Sequence, residues 1–164
     1  LQVAVTEGIA CIKVGGPANF AAGVDFKTVV NQSCEQGGRV LLLDLADCVN
    51  MDSTFLGILA GTALELRKQT PPGVLIICKL GERNHELVCN LGLQKVLTIG
   101  EDLPDRPDAA EEAEFSALKK VAVSDAKSVL NAHENLIKAD TENAAKFQDV
   151  IAFLKNQVEA KDKE

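Results

Sequence analysis

The sequence contains no tryptophan, no tyrosine and one methionine, so its aromatic content is six phenylalanines. Platforms for stacking nucleic-acid bases are poorly supplied. Seventeen lysines and arginines stand against 24 acidic residues, a net charge of −7, and the basic residues are scattered. That balance disfavours sequence-independent binding to nucleic acid or to an anionic membrane surface. No stretch approaches the roughly 18 apolar residues of a membrane helix, so insertion is not expected. No charged-then-apolar leader is seen, and a cytoplasmic location is the expectation. The five cysteines, Cys11, Cys34, Cys48, Cys78 and Cys89, are odd in number and form no CxxC pair. A disulfide framework and a zinc knuckle are both disfavoured, and the cysteines read as small buried hydrophobes of a reducing compartment.

Catalytic signatures are missing too. His85 and His133 lie in different segments without ligand-like spacing, and His85, in Glu82-Arg83-Asn84-His85-Glu86, reads as part of a solvated helix face. Gly57 and Gly61 fall inside a helix pattern, and no GxxxxGK phosphate loop or GxSxG elbow occurs. No catalytic residue, metal site or cofactor is nominated, and the expectation is a protein that is not an enzyme. Asn31-Gln32-Ser33 matches a glycosylation acceptor, but it falls in a helix pattern and is discounted.

The 164 residues suffice for one domain with a real core plus an extension. All twelve glycines, five prolines and five cysteines lie in residues 1–107. The expected division is a domain over 1–103, a linker at 104–107 and a helical extension over 108–164. Two strands are expected at 2–6 and 9–14, around the Glu7-Gly8 turn. A loop at 15–17 leads to a helix capped by Asn19 and running to about 34. The run Val40-Leu41-Leu42-Leu43-Asp44-Leu45 reads as a strand covered on both faces. A helix from 53 to about 68, a strand at 74–78, a helix at 82–90 and a strand at 96–99 complete the order β-β-α-β-α-β-α-β. This is an α/β class with a mixed, mostly parallel sheet and an all-helical extension.

In the extension, Asp108 with Glu111 resembles a capping box, and Asp125 and Asp140 are candidate caps. Phe147, Val150, Ile151, Leu154 and Val158 share one helix face. The extension reads equally as an appendage packed on its own domain or as a dimerisation or docking arm. A cover over the Ser53 surface is a third arrangement, for which no residue in the sequence argues.

Asp44, Asp47 and Asp52 lie at or just after the end of the central strand, where open α/β sheets collect ligands. They support, weakly, a nucleotide-binding alternative with Mg²⁺. No nucleophile, base or phosphate cradle accompanies them. The more informative feature is the string from Leu43 to Leu59, in which a buried strand, a short loop and Asp52-Ser53 lead into an apolar helix. Ser53 falls at or beside a helix N-terminus, where unpaired N–H groups and the helix dipole tolerate added negative charge. Phosphorylation there would add about −1.5 to −2 charges without requiring the fold to change.

Asp44-Leu45, Met51-Asp52-Ser53-Thr54 and Leu56-Gly57 resemble the signature of the STAS domain family, of the anti-sigma factor antagonist type. The resemblance covers residues 1 to about 103. Phe55 departs from it, standing where that family usually has glycine, and residues 15–19 match only loosely. The resemblance implies a partner-switching protein. Its unphosphorylated form would bind an anti-sigma factor that is also a serine kinase, releasing the sigma factor. Phosphorylation of Ser53 would end binding, a phosphatase would reverse it, and Thr54 is the less favoured acceptor. Asp52, Ser53, Thr54, Phe55, Leu56 and Asn19 are the implied partner-binding residues. The extension over 108–164 is a candidate homodimer contact. The alternative within the resemblance is a non-switching STAS subunit of a lipid-transport, sensory or anion-transport complex.

Overall fold

A computed structural model describes residues 1–6, 9–100, 116–117 and 125–161. Strands β1 (Gln2–Thr6) and β2 (Ile9–Lys13) pair antiparallel. Strand β3 (Gly16–Ala18) precedes helix α1 (Phe20–Glu35), whose N-cap is Asn19, as expected. The Asn19 side chain accepts from the Ala21 and Ala22 N–H groups at 3.1 and 3.3 Å. Then follow β4 (Val40–Asp44), β5 (Cys48–Met51) and α2 (Ser53–Arg67). Next come β6 (Val74–Cys78), α3 (Glu82–Asn90), a single 3₁₀ turn (Leu93–Lys95) and β7 (Thr98–Gly100). The extension supplies β8 (Ser116–Ala117), α4 (Ala126–Ala139) and α5 (Asn143–Lys161).

The six-stranded sheet has the order β7-β6-β4-β2-β1-β8. The strands from β2 to β7 run parallel, and β1 pairs antiparallel with both β2 and β8. Ile12, Leu43 and Ile77 stand side by side across the three central strands, each fully buried. Every residue of β4 from Leu41 to Asp44 is buried, which is why this strand reads as an unbroken apolar run rather than an alternating one. Helices α1 and α2 pack on each other and on the strands, and Phe26 of α1 meets Phe55 of α2 in the core at a centroid distance of 6.3 Å.

The structure departs from the sequence reading in three places. Residues expected as loops after β2 and β4 form a second, two-stranded parallel sheet of β3 and β5. Its pairing joins residues some thirty positions apart, so no local pattern announces it. The last strand begins two residues later than expected. Val96 and Leu97 are buried, but their N–H groups turn back to the Leu93 carbonyl. The extension, expected to be wholly helical, also lends the sheet the two-residue edge strand β8. The Asp108–Glu111 capping box lies outside the described residues. None of the five cysteines forms a disulfide; Cys48 and Cys78 are buried, and Cys11, Cys34 and Cys89 are half-buried. Among the described residues, no helix is long and apolar enough to cross a membrane.

Candidate functional site

The site is built where β5 hands the chain to α2. Met51 is buried and anchors the strand end. The Asp52 N–H donates to the Ala18 carbonyl at 3.0 Å, tying the start of α2 to β3. Asp52 has extended backbone angles (φ −91°, ψ 168°), and its Oδ1 accepts from the Phe55 N–H at 2.7 Å. It is therefore the N-cap, a carboxylate held at the positive end of the helix dipole. Ser53 is the first helical residue and is half-buried.

Ser53 has a partner that no local pattern predicts. Its Oγ lies 3.0 Å from Nε2 of His133 on α4. The other ring nitrogen, Nδ1, lies 2.8 Å from the Val129 carbonyl, which can only accept. The Val129 partner places a proton on Nδ1, so that in the neutral ring Nε2 is the acceptor and the Ser53 hydroxyl donates. His133 is 4% exposed, and Phe147 of α5 meets its ring edge-on at a centroid distance of 5.3 Å.

Helix α4 reaches Ser53 because α2 offers it a face of small residues. Ser53, Gly57 and Gly61 lie four positions apart and so share one side of the helix. A β-carbon on Gly57 would fall 2.0 Å from the Ala132 carbonyl oxygen, and one on Gly61 would fall 2.2 Å from Nδ2 of Asn135. The two helices are thus in backbone contact, a distance that only glycine permits. Asp125 caps α4 by accepting from the Lys127 and Ser128 N–H groups.

The far end of α4 is fastened to the first 100 residues as firmly. Asp140 Oδ2 bonds Lys95 Nζ at 2.6 Å and sits against Gly92, whose positive φ of 65° and missing β-carbon leave room for it. The Lys95 hydrogen bond and charge hold the Asp140 carboxyl below the usual carboxylate range and raise the Lys95 ammonium in turn. Asn143 is fully buried, and its amide nitrogen donates to the carbonyls of Leu91 and Leu136.

The carboxylates expected near the strand end are engaged separately. Asp44 is 8% exposed. Burial pushes its carboxyl up, but the Ala46 N–H and Lys79, at 2.9 and 3.0 Å, more than reverse this, and the net shift is downward. Asp47 is exposed, and Asp52 serves the cap. Among the described residues, no group of three or more potential ligands is placed to hold a metal ion.

The expected partner-binding residues separate into two sets. Asp52 and Asn19 are exposed and Ser53 is half-buried. Thr54, Phe55 and Leu56 are 8, 0 and 2% exposed, so the expectation that they form a docking surface is corrected. The helical period explains this. Residues 55, 56, 59, 60, 63 and 66 turn inward together, and Phe55 packs on Phe26 instead of facing a partner. His133, missed by the sequence reading, is the added member of the site. Only the spacing of Gly57 and Gly61 hints at it, as a signal of close helix packing.

Comparison with known proteins places the fold. The family model described as STAS domain matches residues 1–105. An anti-sigma factor antagonist from Mycobacterium paratuberculosis superposes with a TM-score of 0.55 at 20% identity, covering 68% of this chain and 93% of that one. The antagonist SpoIIAA of Bacillus, solved unphosphorylated and phosphorylated, gives TM-scores of 0.52 and 0.50 at 16 and 17% identity. Those matches cover 68% of this chain and 94 and 96% of SpoIIAA. A sulfate transporter family protein from Wolinella succinogenes gives 0.53 at 16% identity, covering 66 and 88%. No curated protein matches the sequence.

Proposed function

Because the chain belongs to the STAS domain family, we propose that it is a cytoplasmic, phosphorylation-controlled protein-binding module of the anti-sigma factor antagonist kind. The observation that carries this is Ser53 itself, the half-buried first residue of α2, directly after the Asp52 cap. Unphosphorylated, the module binds an anti-sigma factor that is also a serine kinase, and so frees a sigma factor. Phosphate on Ser53 ends the interaction, and a phosphatase restores it. A phosphoserine dianion would have to be desolvated against the partner, beside the carboxylate of Asp52. The helix N-terminus tolerates that charge, so the modification acts on binding without breaking α2. Asp52, Ser53 and Asn19 belong to the contact surface, whereas Phe55 and Leu56 support it from the core.

The test is binding to a serine-kinase partner recovered from the native cell, with phosphosite mapping of the same preparation. Ser53→Asp is expected to weaken binding and Ser53→Ala to retain it, with phosphate found on Ser53. Equal binding by the two variants, or Ser53 unmodified under every growth condition, would overturn the reading. A constitutive STAS subunit of a transport complex is then the next reading, favoured by the structural likeness to the sulfate transporter family protein. Its mark would be transport subunits in the recovered complex.

A further inference from the structure

We propose that the Ser53–Gly57–Gly61 side of α2 is a helix-accepting docking surface. In this state its occupant is the α4–α5 hairpin of the same chain, and docking of that hairpin and phosphate on Ser53 exclude each other. The inference rests on the reading of Ser53 as the phospho-acceptor and adds its regulation.

Three contacts in register carry it. His133 accepts from Ser53, the Ala132 carbonyl lies over Gly57, and Asn135 lies over Gly61. Together they cover three successive turns of α2 on the side that begins at the acceptor hydroxyl. The imidazole lies 3.0 Å from Oγ and α4 lies over the turns that follow, so the space in which a phosphoryl donor must approach the hydroxyl is crowded from this side. Transfer to Oγ would form the O–P bond as the bond from phosphorus to its nucleoside diphosphate leaving group breaks, and the hydroxyl proton must leave for a base. A kinase can reach that geometry only after α4 has moved. Once the ester has formed, the hydroxyl proton that bonds Nε2 is gone and three phosphoryl oxygens must fit beside an imidazole 3.0 Å from Oγ, so α4 cannot keep its present seat. The same covering obliges an external partner to displace α4, which lowers its apparent affinity by the fraction of molecules with the face open.

The seam suits a reversible contact. Between α1, α2 and α4 lies an open groove of about 280 Å³, lined by polar groups that include Lys27, Thr28, Asn31, Thr62, Ser128 and Asn131. Water can enter this edge of the helix pair, whereas Leu136 and Ala139 of α4 are part of the buried core and are exposed only when the hairpin leaves. The occupant lies outside the stretch matched as STAS domain, since that match ends at residue 105 and α4 begins at Ala126.

Hydrogen exchange on the full chain tests the proposal, comparing three forms: unmodified, with phosphoserine installed at position 53 during synthesis, and Gly57→Ala. The alanine methyl would strike the Ala132 carbonyl, yet it strengthens α2, since alanine is the better helix former. In both altered forms the α4 amides are expected to exchange at least tenfold faster, with β4 and β6 unchanged. Protection of α4 that survives phosphoserine while Gly57→Ala releases it would overturn the mutual exclusion. Protection that survives both changes would overturn the docking itself. Because the phosphate is installed synthetically, these outcomes are independent of whether a cellular kinase modifies Ser53, which only the phosphosite and binding experiments decide.

Discussion

The Ser53 hydroxyl donates to Nε2 of His133 at 3.0 Å across 80 positions of sequence. This bond joins the first residue of α2, in the family-matched segment, to the extension beyond it. His133 is itself oriented by its bond to Val129 and by the edge of Phe147. Replacing it with alanine removes two hydrogen bonds, to Ser53 and to the Val129 carbonyl, and leaves a buried gap beside Phe147. The expected loss is about 2 kcal/mol of stability, measured as a lower midpoint in chemical denaturation. His133→Gln, which can still accept from Ser53, should recover part of it. Equal midpoints for wild type and His133→Ala would show that the contact contributes nothing.

Gly92 and Asp140 make the second fastening. Gly92 has φ +65°, and any β-carbon there would fall 2.0 Å from the Asp140 carboxylate. Gly92→Ala therefore adds left-handed strain of roughly 1 kcal/mol and displaces Asp140 from Lys95. Urea denaturation should show the loss, and hydrogen exchange should show it concentrated in α4 and α5. A loss spread evenly over the sheet would argue against this assignment.

Phe55 should behave as a core residue. Its ring is fully buried against Phe26, so Phe55→Ala is expected to cost about 3–5 kcal/mol. Phe55→Leu, which keeps most of the volume, should cost less than about 1.5 kcal/mol. Thermal melts of the two variants decide the matter, and a Phe55→Ala protein as stable as the parent would return this side chain to the surface.

Acid should loosen the structure in a defined direction. Asp44, Asp125 and Asp140 all have carboxyls held below their ordinary value of 3.8 in the folded chain. A depressed folded value means that the unfolded chain binds the proton more readily. The stabilisation is present in full above the ordinary value and is lost as pH falls through the depressed ones. Stability should therefore be insensitive to these groups near neutrality and should fall below about pH 4. Asp140→Asn should flatten the part of that fall belonging to α4, read by hydrogen exchange or circular dichroism across the acid range.

Much of this protein is legible in its sequence, because local chemistry specifies it. The apolar run at β4 needs cover on both faces. Asn19 and Asp125 satisfy helix N-termini with their own side chains. The Asp52-Ser53 pair between a buried strand and an apolar helix marks the candidate site and carries the resemblance to the STAS family. The β3–β5 sheet is not legible, because its pairing is long-range and its strands are too short to show a period. The inward turn of Phe55 follows from which side of α2 the sheet and α1 cover. Only tertiary structure decided that His133, alone in its segment, would meet Ser53. The close fit of Gly57 against Ala132 and the seat of Asp140 over Gly92 place α4 there, and steric complementarity between distant surfaces leaves no periodic trace in either one.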